Sequence, residues 1–168
     1  MLIDRQCNEG ASPLYAACEK GHLEVVRTLL FAGALVNLPT AGGTSPLFVA
    51  SLGGHVEVMR ALLSFGAQVD SVSAGYGGTS ALLAASSNGH VDVVHTLLSA
   101  GAKVDLLNDM GATALLMACQ NGHLEFARAL LSAGAKIDRA SNVGITPLLV
   151  ACSRGHAEVA RALLSRLT

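Results

Sequence analysis

The chain contains no tryptophan, and tyrosine and phenylalanine together make up 4% of its 168 residues. A core built on large rings is therefore excluded, and the apolar half of the composition has to come from Ala, Leu and Val. Small aliphatic side chains of that kind favour helices packed closely on one another. Charge is equally scarce. Eleven basic residues face twelve acidic ones, for a formal net charge of -1, which gives little long-range attraction for nucleic acid or an anionic membrane. Apolar runs such as Ala112 to Cys119 are far too short to span a bilayer. The start, with Asp4, Arg5 and Gln6, lacks an apolar signal segment, and no Asn-x-Ser/Thr sequon occurs. The expectation is an intracellular protein, cytoplasmic or nuclear, without membrane insertion.

What is present is repetition. Gly-His recurs at Gly21, Gly54, Gly89, Gly122 and Gly155, at steps of 33, 35, 33 and 33 residues. Gly-Ala follows at Gly33, Gly66, Gly101 and Gly134 with the same steps, and Leu-Leu pairs lie between, from Leu29-Leu30 to Leu163-Leu164. A fixed period of this size means a stacked array. The units are approximately 7–39, 40–72, 75–107, 108–140 and 141–168, within a single domain 1–168, with a two-residue insertion near 73–74. The opening Ile3-Asp4-Arg5, repeated as Ile137-Asp138-Arg139, reads as the tail of a further unit.

Each unit has a local physical grammar. Ser12-Pro13, Ser45-Pro46 and Thr146-Pro147 place a capping hydroxyl before a proline at the first helical position. Ser80-Ala81 and Thr113-Ala114 keep the cap without the proline. A short apolar helix follows and stops at the Gly of Gly-His, which reaches left-handed geometry cheaply. A second helix, for instance His123 to Ser132, carries Leu124, Ala127, Leu130 and Leu131 on one face. The stretch Lys136 to Gly144 suits an extended finger. Neither helix is long enough to persist alone, so the units must stack, with Leu-Leu rows forming a continuous core.

These residues resemble the ankyrin repeat family, as Gly10-Ala11-Ser12-Pro13-Leu14 with Gly21-His22 and Gly144-Ile145-Thr146-Pro147-Leu148 with Gly155-His156. The resemblance implies an all-α repeat solenoid of helix–turn–helix units joined by β-hairpin fingers in a slightly curved stack. It also implies a non-catalytic protein–protein interaction scaffold, with a structural array inside a larger enzyme, channel or effector as the alternative. One departure is systematic: the histidine that follows Thr-Pro-Leu in the family is here Tyr15, Phe48, Leu83, Leu116 or Leu149. The resemblance further implies that Asn37 stands where some members are hydroxylated; the expectation is a turn or strand-end role.

Residues that suggest chemistry mostly repeat with the units. Five of the six histidines occupy one repeat position, roughly 10 Å apart if helices pack at ordinary spacing, so they cannot share a metal. They are expected to bond to loop backbone. Cys18, Cys119 and Cys152 share a small-residue slot with Ser51 and Ser86; Cys7 is expected to be the only exposed thiol. The Glu24/Arg27, Glu57/Arg60, Glu125/Arg128 and Glu158/Arg161 pairs form a solvated ladder rather than acid–base machinery. No catalytic residue, metal, cofactor or small-molecule substrate is assigned.

Binding is expected from the finger tips and the exposed ends of the first helices. Tyr76, Met110, Val143 and Ile145 would form an apolar stripe, joined by Thr79, Asp109 and Asn142 from the fingers and by Leu52, Asn88, Gln120 and Arg154 from the helix ends. Thr44 and Ala112 are also placed at tips. The partner is a protein, with nucleic acid not expected. Neither terminal unit carries an obvious polar cap, which suggests a segment of a longer array or end-to-end self-association.

Overall fold

The computed structural model describes residues 2–167. Each unit contributes one helix to an inner row and one to an outer row. The inner row is α1 (Pro13–Glu19), α3 (Pro46–Leu52), α5 (Ala81–Asn88), α7 (Ala114–Asn121) and α9 (Pro147–Ser153). The outer row is α2 (Leu23–Phe31), α4 (Val56–Ser64), α6 (Val91–Ser99), α8 (Leu124–Ser132) and α10 (Ala157–Leu164). The dominant contacts join each helix to its partner in the unit or to its counterpart one unit along. The array is therefore an open solenoid without a closed sheet.

The caps form as the spelling requires. Ser12, Ser45, Ser80, Thr113 and Thr146 each accept a hydrogen bond from the backbone N–H three residues on, at 3.1–3.4 Å. Pro13, Pro46 and Pro147 sit at the helix starts. The core is the seam between the rows: Leu30, Leu62, Leu97, Leu130 and Leu163 are all buried, and Val26, Val58, Val93, Phe126 and Val159 lie with them. The shared small slot is buried in four units, as Cys18, Ser51, Ser86 and Cys119; the serine hydroxyls donate to Leu47 and Leu83 carbonyls.

Two ladders tie unit to unit. The Nε2–H of His55, His123 and His156 meets the carbonyl of Glu19, Ser87 and Gln120, each at 3.1 Å, so the partner is the end of the preceding inner helix. The glycine of that preceding Gly-His lies under the ring. At the third unit Asn88 donates its Nδ2–H to the Leu52 carbonyl at 2.9 Å, while the His90 ring rests on Gly54. The second ladder runs through Asp4, Asn37, Asp70 and Asp105. Each accepts from a backbone N–H one unit on, at Leu35, Gln68, Lys103 and Lys136, at 2.9–3.1 Å. Asn37 also donates to the Gly66 carbonyl, so from its place in a turn its side chain joins two units.

The fingers are short hairpins, as the resemblance implies, each short one closing with a backbone bond across its turn, such as Asn108 N–H to Ala112 O at 3.1 Å. Among the described residues a two-stranded ladder forms only in the third finger, where β1 (Val72–Ser73) pairs antiparallel with β2 (Thr79–Ser80). This is the finger with two extra residues, and the added length is what allows two pairs of residues to face. The other four close in one tight turn, such as Gly111 N–H to Asn108 O at 2.9 Å. Two expectations change. Cys152 is exposed like Cys7, because among the described residues α9 has an inner-row neighbour on one side, α7, whereas α7, which carries Cys119, lies between α5 and α9. On the same flank Leu149 and Leu164 are 54% and 49% exposed, whereas Leu116 and Leu131 are buried.

Candidate functional site

Successive fingers are hydrogen-bonded tip to tip. Ala41 N–H donates to Glu9 O, Gly75 N–H to Gly42 O, Asp109 N–H to Gly77 O and Asn142 N–H to Met110 O, at 2.7–3.3 Å. Asn142 Nδ2–H adds a bond to Asp109 O at 2.9 Å. The tips thus form a continuous, backbone-linked edge, and residues on it are held in fixed positions. Within each short turn a positive-φ glycine closes the loop, Gly111 at 71° and Gly144 at 78°. The residue just before it is turned outward. That residue is Met110, 65% exposed, in the fourth finger and Val143, 79% exposed, in the fifth.

Between these two fingers and α7 lies a groove of about 390 Å³. Met110, Leu116, Met117, Val143 and Ile145 make its apolar wall, and Asp109, Gln120 and Asn142 stand at its polar edge. Six of the eleven residues expected to bind therefore converge on one place. Leu116 and Met117 are additions. Both read as core residues of a helix in the sequence, and only the approach of the two fingers turns part of α7 into a groove wall.

The other five residues lie elsewhere. Tyr76 does not continue the stripe: the longer finger carries it back onto Phe48, with ring centroids 5.0 Å apart and planes tilted by 43°. Thr79 is held in β2 opposite Ser73. Leu52 and Asn88 are the two halves of one inter-unit hydrogen bond. Arg154 caps α9 and is exposed. Thr44 and Ala112 are buried rather than exposed at the tips, though Ala112 also lines the groove. They occupy the returning side of the turn, and Thr44 Oγ1 pairs with Ser73 Oγ at 2.8 Å.

Other parts of the surface mix polar groups with exposed apolar ones, such as Phe31 packed edge-to-face on Phe65 on the outer row. A shallow depression of about 460 Å³ lies between α6 and α8, lined by His95, Glu125 and Arg128 among others. The outer Glu–Arg pairs are all exposed, at 2.8–3.4 Å for Arg27, Arg60 and Arg128, and each contributes little. Burial pushes the Cys18 and Cys119 thiols up to about 12. They are protonated and enclosed, the reverse of what a nucleophile needs. Among the described residues no three His, Cys, Asp or Glu side chains are grouped to hold a metal ion, and no helix is long and apolar enough to cross a membrane.

A family model described as ankyrin repeats (3 copies) matches residues 36–108 and 82–167, and one described as ankyrin repeat matches 9–41. No curated protein matches the chain. Domains of this kind are generally protein–protein interaction modules and typically non-catalytic. With stacked helix pairs, capped hydroxyls and linked fingers running the length of the chain, and with family matches from residue 9 to 167, the chain belongs to the ankyrin repeat family.

Proposed function

We propose that the chain is a non-catalytic scaffold that docks a partner protein through its finger edge and the neighbouring inner helices, with the groove of the fourth and fifth fingers as its centre. The observation that carries this reading is the cluster of Met110, Val143 and Ile145, all exposed, around one apolar groove on a backbone-linked edge. None of the three contributes to the buried core. Methionine and aliphatic groups on a rigid frame suit association because little order has to be gained on binding.

A photo-crosslinking residue at Met110, with a control at Arg60 on the outer row, tests this. The protein captured is then purified and titrated against wild type, Met110→Ala and Val143→Ala. Each variant should weaken binding by more than about 1 kcal/mol, roughly fivefold, without a change in melting temperature. Equal capture from both positions, with unchanged affinity in both variants, refutes the reading.

A second reading, an array built into a larger enzyme, channel or effector or associating with itself, is favoured by the apolar flank of the fifth unit, where Leu149 and Leu164 are half exposed. Sedimentation across a hundredfold range of concentration separates the two. Self-association abolished by Leu149→Glu supports the flank, and a concentration-independent monomer argues against self-association.

A further inference from the structure

The chain has only two tyrosines, and both belong to one cluster away from the groove. Tyr15 and Phe48 occupy the same slot of α1 and α3 in adjacent units, where the family usually has histidine. Tyr76 comes from the third finger onto Phe48, which is 2% exposed, while Tyr76 itself remains 53% exposed. Tyr15 is half-buried. Its hydroxyl is pushed up from its ordinary value by burial first, then by the Glu19 carboxylate, then by Tyr76. Tyr15 and Phe48 lie on the adjacent, packed helices α1 and α3, and Tyr76 stacks on Phe48.

The surroundings are acidic. Glu19 is one turn along α1 from Tyr15, and Glu9 is exposed on the first finger. The Asp109 carboxylate lies beside Gly77 and Gly78, immediately after Tyr76. The neighbouring cation is Lys20, which pairs with Glu19 at 3.4 Å. Electron-rich ring faces next to carboxylates attract cations and repel anions. A planar guanidinium suits such a place best, since it stacks on an aromatic face while its N–H groups reach a carboxylate.

We propose that Tyr15, Phe48, Tyr76 and Glu19 form a receptor for an arginine side chain of a docked protein. Phe48 serves as the floor that holds Tyr76 in place. Tyr76 offers its open face to the guanidinium, and Glu19 supplies the countercharge, exchanging Lys20 for the incoming group. Tyr15, Phe48, Tyr76 and Glu19 do not line the apolar groove, and the test requires no partner protein, so either reading can fail alone.

Because the chain has no tryptophan, tyrosine fluorescence reports this cluster directly. The probe is arginine blocked at both ends, as the N-acetyl methylamide, with identically blocked citrulline as its neutral isostere. Arginine should give a saturable change that citrulline does not. Glu19→Gln should weaken binding about threefold, in keeping with an exposed cation–π site, and Lys20→Gln should strengthen it. Tyr76→Phe, followed through Tyr15, should retain binding, and Tyr76→Ala should abolish it while circular dichroism shows the fold intact. Equal responses to arginine and citrulline, or unchanged binding in both Glu19→Gln and Tyr76→Ala, overturn the proposal.

Discussion

Alanine at Gly89 separates two costs that glycine avoids. Gly89 and Gly101 both have positive φ, 74° and 86°. A Cβ at Gly101 meets nothing within 4 Å, whereas one at Gly89 comes within 2.6–2.8 Å of Nδ1, Cε1 and Cγ of His123. Left-handed geometry costs an alanine about 1–2 kcal/mol, offset by about 0.4–1 kcal/mol from the stiffer unfolded chain. Gly101→Ala should therefore destabilise by about 1 kcal/mol. Gly89→Ala adds displacement of the imidazole and loss of its 3.1 Å bond to Ser87 O, about 1 kcal/mol more, with further loss from disturbed packing. A total of about 2–4 kcal/mol follows. Urea unfolding monitored by far-ultraviolet circular dichroism gives both values. The slope m should be compared as well, since a weakened central junction can let the two halves of an array unfold separately. In the double variant Gly89→Ala/His123→Ala the ring that clashes is gone, so the two substitutions should couple by at least about 1 kcal/mol in the relieving direction. Equal costs at Gly89 and Gly101, with coupling near zero, would show that the histidine ring does not lock adjacent units.

Leu97, fully buried at the middle of the seam, should cost about 2–5 kcal/mol when cut to alanine, read as the shift in urea midpoint. Asp105→Ala removes the acceptor of the Lys136 N–H and should cost about 0.5–1.5 kcal/mol; Asp138→Ala, whose residue accepts no such bond from a later unit among the described residues, should be nearly neutral in the same assay. A disulfide-exchange titration at pH 8 should find Cys7 and Cys152 reactive in the native protein and all four thiols reactive in urea, because Cys18 and Cys119 are buried. Those two buried thiols also set an alkaline limit. Their folded pKa is raised to about 12 from an ordinary value of about 9, so above pH 9 the unfolded chain binds fewer protons than the folded one. Stability should fall between pH 9 and 12 by about 1.4 kcal/mol per pH unit for each thiol, and Cys119→Ser should reduce that slope by half.

The candidate site was legible only in part. Met110 and Val143 could be placed at finger tips because each precedes a glycine that closes a turn at a known point of the period. Leu116 and Met117 could not, since burial against a neighbour and exposure in a groove have the same spelling on a short apolar helix. Tyr76 was legible only in part for a related reason. Its position at the tip of the longest finger was plain, but the direction in which that finger folds depends on the paired Val72–Ser73 and Thr79–Ser80 segments and on Phe48 as a surface to land on.

Periodicity alone decided the architecture. A hydroxyl before the first helix, glycines after both and a Leu pair in the second are local signals, and in an array whose contacts reach only one unit away, local signals are nearly sufficient. The identity of the links between units came from three dimensions. The carbonyl met by His123, the N–H met by Asp105, the substitution of Asn88 for His90 and the exposure of Cys152 each depend on what lies one unit away in space. A repeat position occupied by the same residue type can be buried in one unit and open in another, because its surroundings are supplied by a neighbour rather than by its own segment.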